Sequence, residues 1–187
     1  LWIDPNPAAP TPAPTGRHYL VIEPRRAFGT GSHESTRLVL EVLEHLDVCG
    51  RRVLDVGCGS GILALAACAL GATSAVGFDI DSESVFVARQ TVLGQPGTYP
   101  VALFAGGVDA LGAAARFDVI LANLLPAEFT PFLAALTSLL EPQATLVLSG
   151  LLADQRHFVE SDLRQAGLAV ERSFEQAEWM ALLCHPA

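Results

Sequence analysis

A chain of 187 residues, 51% of them apolar, has material for one domain of ordinary size with a well-formed core. Its net charge of −9 argues against a broad nucleic-acid footprint and favours a basic substrate. No apolar run reaches the ~20 residues of a membrane span and no basic-then-apolar leader opens the chain, so a soluble, cytoplasmic protein without membrane attachment is expected.

Residues 4–16 carry Pro5, Pro7, Pro10, Pro12 and Pro14 among alanines and threonines, a composition that favours extended, semi-rigid chain. Residues 1–18 therefore read as a linker and residues 19–187 as the folded domain. Tyr19–Ile22 suits a short strand, and Ala27-Phe28-Gly29-Thr30-Gly31-Ser32-His33 a glycine-rich loop. A helix should follow, capped by Ser32 or Ser35, with Leu38, Val42, Leu43 and Leu46 on one face and Gly50 closing it.

From there strands and helices alternate. Strands are expected at 53–56, 74–79, 100–104, 117–122 and 143–149, and helices at 61–70, 82–93, 127–140 and 153–166. Such alternation predicts an α/β fold with a doubly wound, mostly parallel sheet. Two apolar segments at 168–174 and 178–184, with Glu175-Gln176-Ala177 between them, predict an antiparallel hairpin at the sheet edge. The cysteines Cys49, Cys58, Cys68 and Cys184 have neither C-x-x-C spacing nor histidines at ligand intervals, so they read as buried thiols and no metal site is expected.

The densest signal lies where the strand Val53-Leu54-Asp55-Val56 runs into Gly57-Cys58-Gly59-Ser60-Gly61 and then into an apolar helix. Gly57 and Gly59 let main chain approach a ligand with no Cβ in the way, and Gly61 lets the helix pack closely on the sheet. A second run, Ser74 to Phe78, ends in Asp79, near the ~20-residue offset at which a carboxylate meets ribose hydroxyls. The glycine pattern is one residue shorter than G-x-G-x-x-G. Preceded by Asp55, it resembles the loop that holds S-adenosylmethionine in class I methyltransferases. A nicotinamide or flavin nucleotide, or a glycine turn without a ligand, remains open at this point. In that resemblance the glycine loop, with Gly59, sits under the methionine part, Asp79 takes the ribose diol and Asp55 lies close to the cationic amino group.

Other strand ends add candidates. Gly106, Gly107 and Asp109 read equally as an adenine contact or a plain turn, and Gly150 ends a later strand beside Ser149. The strand Phe117 to Ala122 delivers Asn123-Leu124-Leu125-Pro126 to the same edge. The Asn123 side-chain carbonyl and neighbouring backbone carbonyls, Leu124 included, can accept hydrogens from a substrate amino group and aim its lone pair. The plainer reading of Asn123 is a strand-end turn. No aromatic residue stands where a flipped base would stack, which weighs against nucleic acid as substrate. Trp179 reads either as a wall of the amine entrance or as core.

Taken together, the stretch from Ala27 to Thr36, Val53 to Gly61, Gly77-Phe78-Asp79-Ile80-Asp81, Ala122-Asn123-Leu124, Ser149-Gly150-Leu151-Leu152 and Glu178-Trp179 resembles the bacterial methyltransferases of large-subunit ribosomal protein eleven. The resemblance implies a Rossmann-like class I fold of seven strands and S-adenosylmethionine as cofactor. It implies that Thr36, Gly57, Asp79 and Asn123 contact the cofactor while Phe28, Gly29, Thr30 and Gly31 cover it. For Thr36 helix capping is the alternative, and His33 orients the loop or lies at the surface. The substrate would be a ribosomal protein, methylated on lysine or N-terminal amino groups by a monomeric enzyme. Members of that family carry a recognition domain ahead of a linker, and this chain begins at about the linker. A methyltransferase for a small molecule or RNA, a non-catalytic cofactor-binding module and an oxidoreductase are the competing readings.

Overall fold

Strand β1 (Trp2–Asp4) pairs in parallel with β2 (Tyr19–Val21), so the first residues of the stretch expected as a linker are hydrogen-bonded into a small sheet. The structure, a computed structural model, describes residues 1–5, 12–22 and 33–187. Phe28, Gly29, Thr30, Gly31 and the proposed cap Ser32 lie outside the described residues. Two links fasten β2. Leu20 is buried in the core, and the Gln95 side chain both accepts from Val21 N–H (3.0 Å) and donates to Val21 C=O (2.7 Å).

Helix α1 (Glu34–His45) starts at an N-cap that is neither serine expected. His33 takes that position, its Nδ1 accepting from Ser35 N–H at 3.3 Å. The helix also ends at His45, with Leu46 as C-cap, well before Gly50. There follow β3 (Arg52–Val56), α2 (Ile62–Ala69), β4 (Ser74–Asp79), α3 (Ser82–Leu93), β5 (Val101–Ala105) and β6 (Phe117–Asn123), close to the expected bounds.

The expected helix 127–140 is divided into α4 (Pro126–Phe129), a 3-10 turn (Thr130–Phe132) and α5 (Leu133–Ser138). Pro131 is the cause, because it has no N–H to complete an α-helical bond and its ring crowds the preceding turn. Strand β7 (Leu140–Leu152) is longer than expected, and α6 (Arg156–Gln165) is preceded by a 3-10 turn. Strands β8 (Leu168–Gln176) and β9 (Trp179–Pro186) form the antiparallel hairpin that the sequence predicts.

The main sheet runs β5-β4-β3-β6-β7-β9-β8, parallel from β5 to β7. Successive strand residues face opposite sides, so a sheet covered on both faces needs continuous apolar runs rather than alternation. Val53, Val119, Leu121 and Val147 pack under α1 and α2, while Leu54, Ile120, Ala122 and Leu146 pack under α4, α5 and α6. Of the cysteines, Cys58, Cys68 and Cys184 are buried as expected, whereas Cys49 is exposed. No helix among the described residues is long and apolar enough to cross a membrane.

The chain passes from β3 outward to β4 and β5, then returns to β6 on the other flank of β3. This switch leaves a cleft at the carboxyl ends of β3 and β6, the place where open α/β sheets hold ligands. Phe129, fully buried, braces the second face below that cleft. Phe129→Ala should lower unfolding stability by about 3–5 kcal/mol in chemical denaturation, the cost of a large core deletion.

Candidate active site

At the end of β3 the chain turns through Gly57, Gly59 and Gly61, all at left-handed φ (66°, 50° and 78°). The turn is held from both sides. Cys58 N–H donates to Phe78 C=O at 2.9 Å, and Gly59 N–H donates to Asp79 Oδ2 at 3.0 Å. Asp79 thus braces the loop beside it, and its Oδ1 accepts from Asp81 N–H at 3.0 Å. A carboxylate has about four lone-pair sites, so two amides leave it able to accept from a ligand.

A cavity of about 810 Å³ opens at this edge of the sheet. Five of the predicted residues, Gly57, Gly59, Asp79, Asn123 and Leu124, line it. So do Gly107, Asp109, Gly150 and Trp179. Trp179 packs edge-on against His33, with ring centroids 4.7 Å apart, and it lines the cavity while also packing against the core under α1 and α2.

Two predicted residues stand behind the wall. Thr36 is buried and does not line the cavity; its Oγ1 accepts from Asn123 Nδ2 at 3.1 Å. It neither touches the cavity nor caps α1, and it acts through the asparagine instead. The consequence falls on Asn123, whose Oδ1 is buried and has no hydrogen-bond partner among the described residues. An orphaned amide oxygen costs about 1–3 kcal/mol, which a ligand N–H would recover.

Asp55 is the second. It is 1% exposed and absent from the cavity lining, and its Oδ2 accepts from Ala64 N–H at 3.0 Å, in the first turn of α2. The N-cap of α2, Gly61, has no side chain, so a carboxylate from the neighbouring strand serves the orphan amide instead. Its Oδ1 is unpartnered. Burial raises the Asp55 carboxyl to about 7, a shift opposed by the Ala64 hydrogen bond and reinforced by the charge of Asp79. The structure thus places Asp55 under the loop, behind the cavity wall.

Sequence reasoning missed several wall residues: Ser35, Ile80, Ser84, Glu128 and Phe132. Glu128 carried a signal, since it stands three residues after Leu125 and two after Pro126; its carboxylate accepts from Leu125 N–H at 2.9 Å, the one half of a capping box open to a leucine N-cap, which has no side-chain acceptor. Among the described residues, carboxylates (Asp79, Asp109, Glu128) line the cavity and no arginine does, while the chain has no lysine at all. The cavity therefore suits a cation.

Comparison with known proteins places this geometry. The family model described as ribosomal protein L11 methyltransferase (PrmA) matches residues 1–186. A ribosomal protein L11 methyltransferase of Geobacter metallireducens is 40% identical over 183 residues, covering 95% of this chain and 57% of its own length. The chain thus spans somewhat over half the length of that relative. The crystal structure of a ribosomal protein L11 methylase from Lactobacillus delbrueckii subsp. bulgaricus superimposes with a TM-score of 0.89 at 29% identity, covering 98% of this chain and 93% of that one. Magnesium protoporphyrin IX methyltransferase from Synechocystis, solved with bound SAM, shares the fold at a TM-score of 0.66 and 21% identity, covering 81% of this chain and 79% of that one.

The Asp55 carboxyl has a folded pKa above its ordinary value, so the folded state holds the extra proton and stability falls as pH rises from about 4 to about 7. Asp55→Asn removes that titration. The melting temperature of the wild type should fall more between pH 4 and pH 8 than that of the variant, by the equivalent of roughly 4 kcal/mol at most.

Proposed function

The chain belongs to the ribosomal protein L11 methyltransferase family, and we propose that it binds S-adenosylmethionine in this cavity and methylates amino groups of a ribosomal protein, on lysine side chains or at the N-terminus. The observation that carries the proposal is the orphaned Asn123 Oδ1, held by Thr36 at the edge of a cavity that also contains Gly57 and Asp79.

The residues fit that cofactor. A cavity of about 810 Å³ lies within the range of ~300–1,000 Å³ typical of small-molecule sites. A Cβ on Gly57 would come within 2.7 Å of Leu124 Cδ2, so the cradle depends on bare main chain at that point. A dinucleotide fits less well, because a pyrophosphate needs the free amides of a helix N-terminus. In α2 the carboxylate of Asp55 already occupies that end.

When bound, S-adenosylmethionine supplies a methyl group already activated by its sulfonium. What remains for the protein is alignment and selection of the neutral amine. Asn123 Oδ1 and the Leu124 carbonyl accept the amine hydrogens and point its lone pair along the line of transfer. Lysine is protonated below its ordinary pKa of about 10.4, and an apolar surround disfavours the charged form. Val56, Phe78, Leu124, Phe132 and Trp179 supply that surround. The lining carboxylates raise the local concentration of a cationic substrate. No side chain needs to serve as a dedicated base.

Calorimetry should show S-adenosylmethionine binding that weakens by ~10-fold or more in Asp79→Ala, about 1.4 kcal/mol. Equal binding by the variant, or none by the wild type, would refute the cofactor assignment. Asn123→Ala should keep cofactor affinity within a few-fold while methyl transfer to ribosomal protein L11, followed by mass spectrometry, falls by ~100-fold or more. A variant as active as the wild type would remove Asn123 from the reaction.

A further inference from the structure

Leu124 is bracketed by two glycines that the sequence places far apart, Gly57 after β3 and Gly150 in β7. The brackets differ in kind. A Cβ on Gly57 would meet the tip of the Leu124 side chain, Cδ2 at 2.7 Å, which can swing aside. A Cβ on Gly150 would meet Leu124 main chain, with O at 2.6 Å, C at 2.8 Å and N at 3.0 Å, and a peptide cannot swing aside.

Gly150 sits at φ +82°, where the pairing of β7 with β9 slips between Leu148 and Leu151. Such bulges re-aim the chain beside them. Ser149, the other residue of the slip, is fully buried. Its C=O accepts from Leu124 N–H at 3.0 Å, and its Oγ lies within hydrogen-bond distance of the carbonyls of Ser35 (3.1 Å) and Met180 (3.2 Å), donating to one or the other. The bulge is thereby tied to α1 on one side and β9 on the other, while Leu124 hangs from it.

We propose that the Ser149–Gly150 bulge is a positioning element for methyl transfer: the Ser149 carbonyl and the bare Gly150 Cα fix the Leu124 peptide where its carbonyl receives the substrate amine. The inference rests on the reading of Leu124 as an amine acceptor. It assigns Gly150 a role in the transfer step, distinct from the cofactor cradle of Gly57. Because the acceptor carbonyl must be placed to within a fraction of an ångström, a displaced peptide costs rate rather than cofactor affinity. Extra volume on Gly57 has the opposite signature, since it burdens the cradle and yields when Leu124 is trimmed.

The test uses the whole chain, with S-adenosylmethionine and ribosomal protein L11 as probes. Gly150→Ala should lower kcat by ~100-fold while the cofactor Kd changes by less than ~3-fold, and Ser149→Ala should lower kcat by ~10-fold and leave the cofactor Kd unchanged. In amide hydrogen exchange, the Leu124 N–H should exchange faster by ~10-fold or more in Gly150→Ala. Adding Leu124→Ala should restore part of the cofactor affinity lost in Gly57→Ala, the remainder reflecting the left-handed φ of +66° that an alanine resists, and should restore no rate to Gly150→Ala.

A Gly150→Ala protein with wild-type kcat and wild-type Leu124 exchange overturns the proposal. If that variant does not fold, Ser149→Ala decides alone, and unchanged kcat and exchange there overturn it equally. A wild-type chain that binds the cofactor and transfers no methyl group refutes the functional reading instead. The exchange rates tell the two failures apart, because they report the Leu124 peptide without turnover.

Discussion

Parallel strands deliver their carboxyl ends to one edge, and a change in winding direction leaves a gap there that no connecting helix can fill. In this chain the gap lies between β3 and β6, and the residues proposed for the site stand at or near the carboxyl ends of strands: Gly57 just after β3, Asp79 ending β4, Asn123 ending β6, Ser149 and Gly150 near the end of β7. The main-chain spacing of the sheet therefore sets the spacing of the site. Side chains refine it; they do not build it. That is why bare glycines recur at the points of closest approach, where a single methyl group would push a neighbouring peptide or side chain out of place.

Asp55 shows how the same edge tolerates a buried carboxylate. An ion removed from water is costly unless hydrogen bonds or opposite charge replace its hydration. Here the amide of Ala64 and the positive end of the short helix α2 supply part of that replacement, while nearby Asp79 works against it. The balance leaves the group near neutrality in its titration, with one oxygen unsatisfied. A cation arriving above the loop would shift the balance toward the ionised form. The negative character of the cavity wall and the latent charge beneath it thus favour the same kind of ligand.

How much of this could be read from residues alone depends on the range of the interaction. The Gly57–Gly61 turn, Asp79 and Asn123 were legible because each marks a strand end, and strand ends are fixed by local apolar runs and glycines. The division of helix 127–140 was legible too, in Pro131, but the apolar spacing on either side of it concealed the break. His33 as N-cap was not, because histidine seldom holds that position and two serines stood nearby. Thr36 and Asp55 stand at the expected edge of the sheet but behind the cavity wall. Whether a side chain faces a cavity or supports another side chain depends on partners such as Asn123 and Ala64, distant in sequence for the first and hidden by the glycine turn for the second.

The first turn of α1 follows from the same logic and gives the helix a part in the site. His33 packs against Trp179, the Ser35 carbonyl lies opposite the Ser149 hydroxyl, and the Thr36 hydroxyl accepts from Asn123. The cap and two consecutive helical positions thus touch β9, β7 and β6, three strands of the main sheet. A helix is stiff over so short a length, so a shift of its start moves the aromatic wall, the bulge and the asparagine amide together rather than one by one. The aromatic wall, the bulge and the asparagine amide are in this way linked to one rigid element, which no single side chain in the cavity could achieve.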